Sequence, residues 1–187
     1  YFLPDIQREY VWLQTTSDHK IENLFDSIMR GYPIGNLLAW RRNTTDIDEN
    51  FTLYKFIERY KEDDRHNEKI LLRQIKPGDI DIILDGQQRL TSLYIALKGD
   101  ITVFRKRAWR NNGQKPDINK ALYLNLKYIP TEGDPDDGYD FEFLTKVEVA
   151  EDDDTKFWFR VSDVLKPEFD VNEFLRENHI DENKTCG

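Results

Sequence analysis

The sequence predicts an α/β (α+β) domain, a mixed sheet with flanking helices, and three observations carry that prediction. Residues 79–97 begin with an apolar run, Ile80, Ile82, Ile83 and Leu84, which gives way at Asp85-Gly86 to Leu90, Leu93, Tyr94 and Leu97. Those four stand at i, i+3, i+4 and i+7, the spacing of one helical face, so the stretch reads as buried strand, tight turn and amphipathic helix. A second helical stripe, Ile21, Leu24, Phe25 and Ile28, precedes it. Elsewhere apolar and polar residues alternate with the period of a half-buried strand, most cleanly at Leu122, Leu124 and Leu126. At 187 residues the chain suits one domain, residues 1–187, with a core in 1–99 and a looser strand-rich extension in 100–187.

The elements follow in order. Residues 1–12 read as extended, because Pro4 disfavours helix before it and aromatics flank Gln7-Arg8. Ser17 or Asp18 suits the cap of the helix carrying Ile21 to Ile28, and Gly31 with Pro33 ends it. Asn36 to Arg41 reads as a strand, Asn43 to Asp46 as a loop, and Phe51 to Phe56 as a second strand. Residues 58–69 carry ten charged or histidine side chains among twelve, the composition of a solvated loop or exposed helix. After the 79–97 unit come strands at Ile101 to Phe104, Lys120 to Lys127, Tyr139 to Phe143 and Lys156 to Val161. Glu151 to Asp154 reads as the tip of a hairpin with solvated carboxylates. Ser162 to Leu165 and Val171 to Glu177 read as short helices.

Charge is distributed unevenly. The net charge is −9, yet residues 131–154 alone hold eleven Asp/Glu against one Lys, and residues 1–130 hold 21 Lys/Arg against 18 Asp/Glu. An acidic total therefore leaves a nucleic-acid or nucleotide partner open for the remainder. The single cysteine, Cys186, cannot form an intrachain disulfide, which fits a reducing cytosol. No apolar run approaches the roughly 18–20 residues that span a bilayer. The expectation is a cytoplasmic protein with no membrane partner. The chain opens at Tyr1 without Met and stops at Thr185-Cys186-Gly187, as a piece of a longer protein would.

Several chemistries find no support. There is no Gly-rich loop ending in Lys-Ser/Thr, no Cys/His cluster of zinc spacing, and the histidines His19, His66 and His179 are scattered. What remains is a polar cradle in two segments: Gln7-Arg8, then Asp85, Gln87, Gln88 and Arg89 at a strand end and helix start. Arg and Gln side chains beside helix N–H groups suit phosphate oxygens, and a carboxylate such as Asp85 suits Mg²⁺ or a water beside them. Arg8 alone is equally consistent with stacking on Tyr10 or Trp12. Arg105, Lys106, Arg107 and Arg110 surround Trp109, a composition that fits a DNA backbone with a stacked base and equally fits a solvated basic stretch.

Three ordered motifs resemble one family. Pro4-Asp5-Ile6-Gln7-Arg8-Glu9-Tyr10-Val11-Trp12 resembles the opening motif of the GmrSD-type restriction-enzyme N-terminal domain, which is related to the ParB/sulfiredoxin-like fold. Leu24-Phe25-Asp26-Ser27-Ile28 with Gly31-Tyr32-Pro33-Ile34-Gly35 is similar to its next block, and Leu84-Asp85-Gly86-Gln87-Gln88-Arg89-Leu90-Thr91-Ser92-Leu93 resembles its signature. The resemblance implies a part in bacterial, modification-dependent (type IV-like) restriction against phage. It implies NTP binding and hydrolysis with Mg²⁺, coupled to sensing of modified DNA, and a C-terminal nuclease domain, often HNH-type, as partner. On this chain the nucleotide site would comprise Gln7, Arg8, Asp85, Gly86, Gln87, Gln88 and Arg89. Arg8 and Arg89 would pair with phosphates, Gln87 or Gln88 would orient water or bind phosphate, and Asp85 would engage Mg²⁺ or water. The chain carries no nuclease motif of its own, and the signature has no cysteine for sulfiredoxin chemistry. The alternative is a non-catalytic DNA-binding or interaction module in which the motif is structural, Asp85 caps the helix and the basic stretch binds. The oligomeric state stays open, a homo-oligomer included.

Overall fold

The computed structural model describes residues 1–5, 10–13, 19–55, 60–61, 67–104, 117–132, 137–151 and 155–181. Two mixed sheets and four α-helices make up the described fold, as the α+β expectation has it. The first sheet runs β2 (Leu38–Asn43), β6 (Asp79–Asp85), β1 (Phe2–Pro4), β3 (Leu53–Lys55) and β5 (Lys69–Ile70). Within it β1 lies parallel to β6 with Phe2 opposite Ile82, and the other pairs are antiparallel. The second sheet runs β10 (Trp158–Arg160), β8 (Asp117–Asn125), β7 (Ile101–Phe104) and β4 (Tyr60–Lys61). Strand β9 (Phe141–Leu144) pairs with the second half of β8, on the edge opposite β10.

Helix α2 (Gln87–Lys98) leaves the first sheet and supplies the core of the second. Its Ala96 joins Ile21 and Phe25 of α1 (Lys20–Met29) with Leu122, Leu124 and Phe141, while its Ile95 joins Tyr10, Tyr60 and Ile101. A separate cluster, Ile47, Leu53, Ile70, Ile80 and Ile82, covers one face of the first sheet. At the far side Phe157, Phe159, Phe169 and Phe174 pack with ring centroids 5.2 to 6.0 Å apart and hold α4 (Val171–Glu177) on β10. Such ring pairs prefer the edge-on and tilted geometries seen here.

Several elements differ from the sequence reading. The buried face of α2 is Gln87, Gln88, Thr91, Ser92, Ile95 and Ala96, with Leu90, Leu93 and Leu97 half-buried and Tyr94 exposed. Hydrogen bonds from residues 10–11 reach two of the polar side chains that this rotation buries, Ser92 and Gln88. Residues 60–61 and 69–70 are strands, not loop or exposed helix. Tyr60 is only 1 % exposed, because parallel pairing with Ile101 carries it inward against Tyr10. Strand β2 ends at Asn43, two residues beyond the expected strand, and the expected loop there is a 3-10 turn, Thr44–Asp46, capped by the Asn43 side chain. The hairpin expected around residues 151–154 is preceded by a helix, α3 (Lys146–Glu151). Thr145 Oγ1 accepts from the Glu148 N–H and Glu148 Oε2 accepts from the Thr145 N–H, a reciprocal cap whose Thr-x-x-Glu pattern was present in the sequence. Helix α1 starts after His19 in a left-handed conformation with no side-chain cap, and the residues expected to cap it, Ser17 and Asp18, lie outside the described residues. His66, Asp152 to Asp154 and Cys186 lie outside them as well.

Candidate functional site

The β6–α2 joint is built by two glycines and one arginine. Gly86 turns the chain at φ +83°, a left-handed conformation that favours glycine. A Cβ there would also stand 2.4 Å from Leu37 Cδ2 and 3.3 Å from the Asn36 carbonyl oxygen. Gly35, on the turn facing it, has φ +82°, and its added Cβ would stand 2.4 Å from Arg89 Nη1. Into the space these glycines leave, Arg89 sends its guanidinium. Nη1 donates to the Ile34 carbonyl and Nη2 to the Asn36 carbonyl at 2.8 Å. Nη2 also lies 3.6 Å from Asp85 Oδ2.

Asp85 is the last residue of β6, opposite Leu38, and its side chain is 74 % exposed. Gly86, not Asp85, occupies the N-cap position of α2, and Asp85 stands one residue before it. Gln87 and Gln88 begin the helix and are buried, at 6 % and 7 % exposure. Gln88 Oε1 accepts from the Val11 N–H at 3.0 Å, and the Gln88 carbonyl accepts from Ser92 Oγ at 2.7 Å. Ser92 Oγ meets the Tyr10 hydroxyl at 2.7 Å in the interior. Burial pushes the Tyr10 phenol well above its ordinary range, only partly offset by that hydrogen bond. The first segment of the chain is thus bonded to the same helical turn as the motif.

The structure therefore brings Asp85, Gly86, Gln87, Gln88 and Arg89 together at one joint. Gln7 and Arg8, expected beside them, lie outside the described residues, as do Arg105, Lys106, Arg107 and Arg110. On either side of Gln7 and Arg8 in the chain, Pro4 is buried at the end of β1, beside β6, and Tyr10 and Val11 are bonded to α2. No group of three or more His, Cys, Asp or Glu side chains able to hold a metal occurs among the described residues. Mg²⁺ is commonly held by one or two carboxylates plus phosphates and water, a donor set that the exposed Asp85 carboxylate fits.

Polar residues that the sequence reading did not single out prove to hold the surrounding frame. Asp26 Oδ1 accepts from Arg30 Nε at 3.0 Å and from the Tyr139 N–H at 2.8 Å, and Arg30 Nη2 donates to the Asp137 carbonyl. Gly138 fits there because a Cβ would stand 2.9 Å from Asp26 Oδ1. Asn125, buried at the end of β8, donates to Asp140 and accepts from Lys127 and Phe157 N–H groups. A signal for Asp26 did exist, since it lies inside the second family-like block.

A family model described as GmrSD restriction endonuclease, N-terminal domain, matches residues 1–185. The chain belongs to that family. Its place is thus in a restriction system, and the GmrSD N-terminal domain is the frame that holds the joint just described. No curated protein matches the chain. No helix among the described residues of this GmrSD domain is long and apolar enough to cross a membrane.

Proposed function

We propose that the chain is a nucleotide-binding, NTP-hydrolysing regulatory domain of a modification-dependent anti-phage restriction protein, coupling DNA sensing to a nuclease elsewhere in that protein. The observation that carries this reading is the exposed Asp85 carboxylate, 3.6 Å from the Arg89 guanidinium at the start of a twelve-residue helix. A helix N-terminus favours negative charge, so phosphate oxygens are accommodated beside a carboxylate able to engage Mg²⁺. The ion, when bound, polarises the phosphoryl oxygens. Asp85 holds it or a water, Gln87 or Gln88 orients the attacking water, and Arg89 adds positive charge beside Asp85. Gln7 and Arg8 complete the phosphate contacts from the first segment. A ParB/sulfiredoxin-like fold accompanies this reading, supported by the family-like motifs and by mixed sheets with flanking helices. DNA is engaged through Arg105, Lys106, Arg107 and Arg110.

Binding of each NTP and phosphate release with Mg²⁺ test the reading, comparing the native chain with Asp85→Ala. Because the Asp85 side chain is exposed, the variant should fold as the native chain does and lose turnover by about ten-fold or more, as expected when a group stabilising transition-state charge is removed. A folded native chain that neither binds nor hydrolyses any NTP ends the proposal. A second reading, the motif as structure within a DNA-binding or interaction module, is favoured by the commitment of Gln88 and Arg89 to main-chain partners. Under it Asp85→Ala leaves DNA binding intact and no nucleotide turns over.

A further inference from the structure

We infer that Arg89 is a positioning residue, acting through the main chain of residues 34–37 and not through contact with phosphate. The inference deepens the nucleotide reading and in that respect rests on it. The turn from Gly31 to Leu37 has little burial to hold it: Tyr32, Pro33 and residues 35–37 are exposed and Ile34 is half-buried. Arg89 supplies hydrogen bonds to two of its carbonyls, Ile34 and Asn36, which flank Gly35. Each arm of the planar fork takes one of them, a match that a lysine ammonium, a point charge on a flexible stem, does not reproduce. Gly35 is matched to the same geometry, since any Cβ there would intrude on Arg89 Nη1 at 2.4 Å. Gly86 is matched to it from the other side, where an added Cβ would lie 3.2 Å from Nη2.

The turn feeds β2 directly. Leu38 pairs with Asp85, and the register shifts between Leu38 and Ala39 at that point. Holding the turn therefore fixes where the neighbouring strand meets the exposed carboxylate. The Arg89 side chain is 20 % exposed, and its guanidinium is hydrogen-bonded from both arms. Its effect on a nucleotide would be delivered by the placement of residues 34–37 around Asp85.

Four variants of the full chain test this: Arg89→Lys, Arg89→Met, Gly35→Ala, which alters no charge, and the double substitution of Arg89→Lys with Gly35→Ala. Two measurements decide. The first is amide hydrogen exchange of the chain alone. Arg89→Lys and Gly35→Ala should each speed exchange at Leu38 and Ala39 about ten-fold or more, with amides of Leu122 and Leu124 unchanged as proof of folding. The second is titration with a fluorescently labelled ATP and labelled GTP at several salt concentrations. Each single variant should bind about ten-fold more weakly, the double no more than about two-fold weaker than either single, as expected when two groups act as one unit. The dependence of affinity on salt should stay native, since a charge in contact with phosphate is what screening weakens. Native exchange at Leu38 and Ala39 in Arg89→Lys overturns the proposal. So does an Arg89→Lys that binds within two-fold of native while Arg89→Met binds weakly with a flattened salt dependence. If the native chain binds neither nucleotide, the functional reading fails, and hydrogen exchange alone still decides whether Arg89 holds the turn.

Discussion

The hydroxyls of Tyr10 and Ser92 meet 2.7 Å apart inside the protein, joining the start of the chain to the motif helix. Ser92 Oγ donates its proton to the Gln88 carbonyl, so Tyr10 is the donor in the shared bond. The two ends of this bond are therefore not equivalent. Ser92→Ala strands the Tyr10 O–H in the core and should cost about 1–3 kcal/mol, whereas Tyr10→Phe leaves Ser92 its carbonyl partner and should cost about 1 kcal/mol or less. The double variant should be no less stable than Ser92→Ala. Urea midpoints at neutral pH check the order, and equal costs for the two singles contradict it. Raising the pH supplies a second check. The folded state keeps the phenol protonated above its ordinary titration near 10, so stability falls as pH rises past about 10, and Tyr10→Phe lacks that part of the fall.

Gly86 and Gly31 separate conformation from clearance. Both have positive φ, +83° and +70°, but a Cβ at Gly31 meets nothing within 4 Å, whereas at Gly86 it meets Leu37, Arg89 and Asn36. Gly31→Ala should cost about 1–2 kcal/mol from backbone strain alone. Gly86→Ala should cost more, and the added Leu37→Ala should return part of the difference by removing the nearest atom. Thermal or urea unfolding of the four chains measures this. A Gly86→Ala cost equal to that of Gly31→Ala shows that the approach of residues 36–37 is not restrictive.

Asp137 gives the acid side of the stability profile. Hydrogen bonds from Thr131, then Tyr128, hold its carboxyl down at about 2, against an ordinary value near 4. A depressed carboxylate contributes stability that is present above about pH 4 and is lost as pH falls towards about 2. Asp137→Asn should therefore show a shallower loss over that window than the native chain. A carbon-detected NMR titration of the carboxyl reads the same quantity directly, and a midpoint near 4 refutes it.

What was legible in the sequence is what local chemistry determines. The apolar run to Leu84, the turn at Gly86 and the helix after it depend on neighbours in the chain, and all three were visible. Thr145 and Glu148 are equally local, and their Thr-x-x-Glu spacing carries the cap. The buried face of α2 was not local. Leu90, Leu93, Tyr94 and Leu97 make the more apolar stripe, but Ser92 and Gln88 turn inward because their partners, Tyr10 and Val11, lie about eighty positions away. Strand β4 is hidden for the same reason, since Tyr60 sits among charges and becomes buried only by pairing with β7. At the site, residue types pointed to the joint itself, while the contacts of Arg89 with Ile34 and Asn36 depend on a turn whose shape no spacing reveals.

The pairing of Phe2 with Ile82, and of Tyr10 with Ser92, has a consequence for how the molecule is made. Both contacts close loops of about eighty residues, so their entropic cost falls due before local structure can offset it. On a ribosome adding about 5–20 residues per second, the first segment waits roughly 4–16 s for its partners to be synthesised. Strand β1 is made before its partner β6 and docks only once β6 exists. The contacts of the first segment with the joint at Asp85 are therefore completed only after residue 92 has left the tunnel.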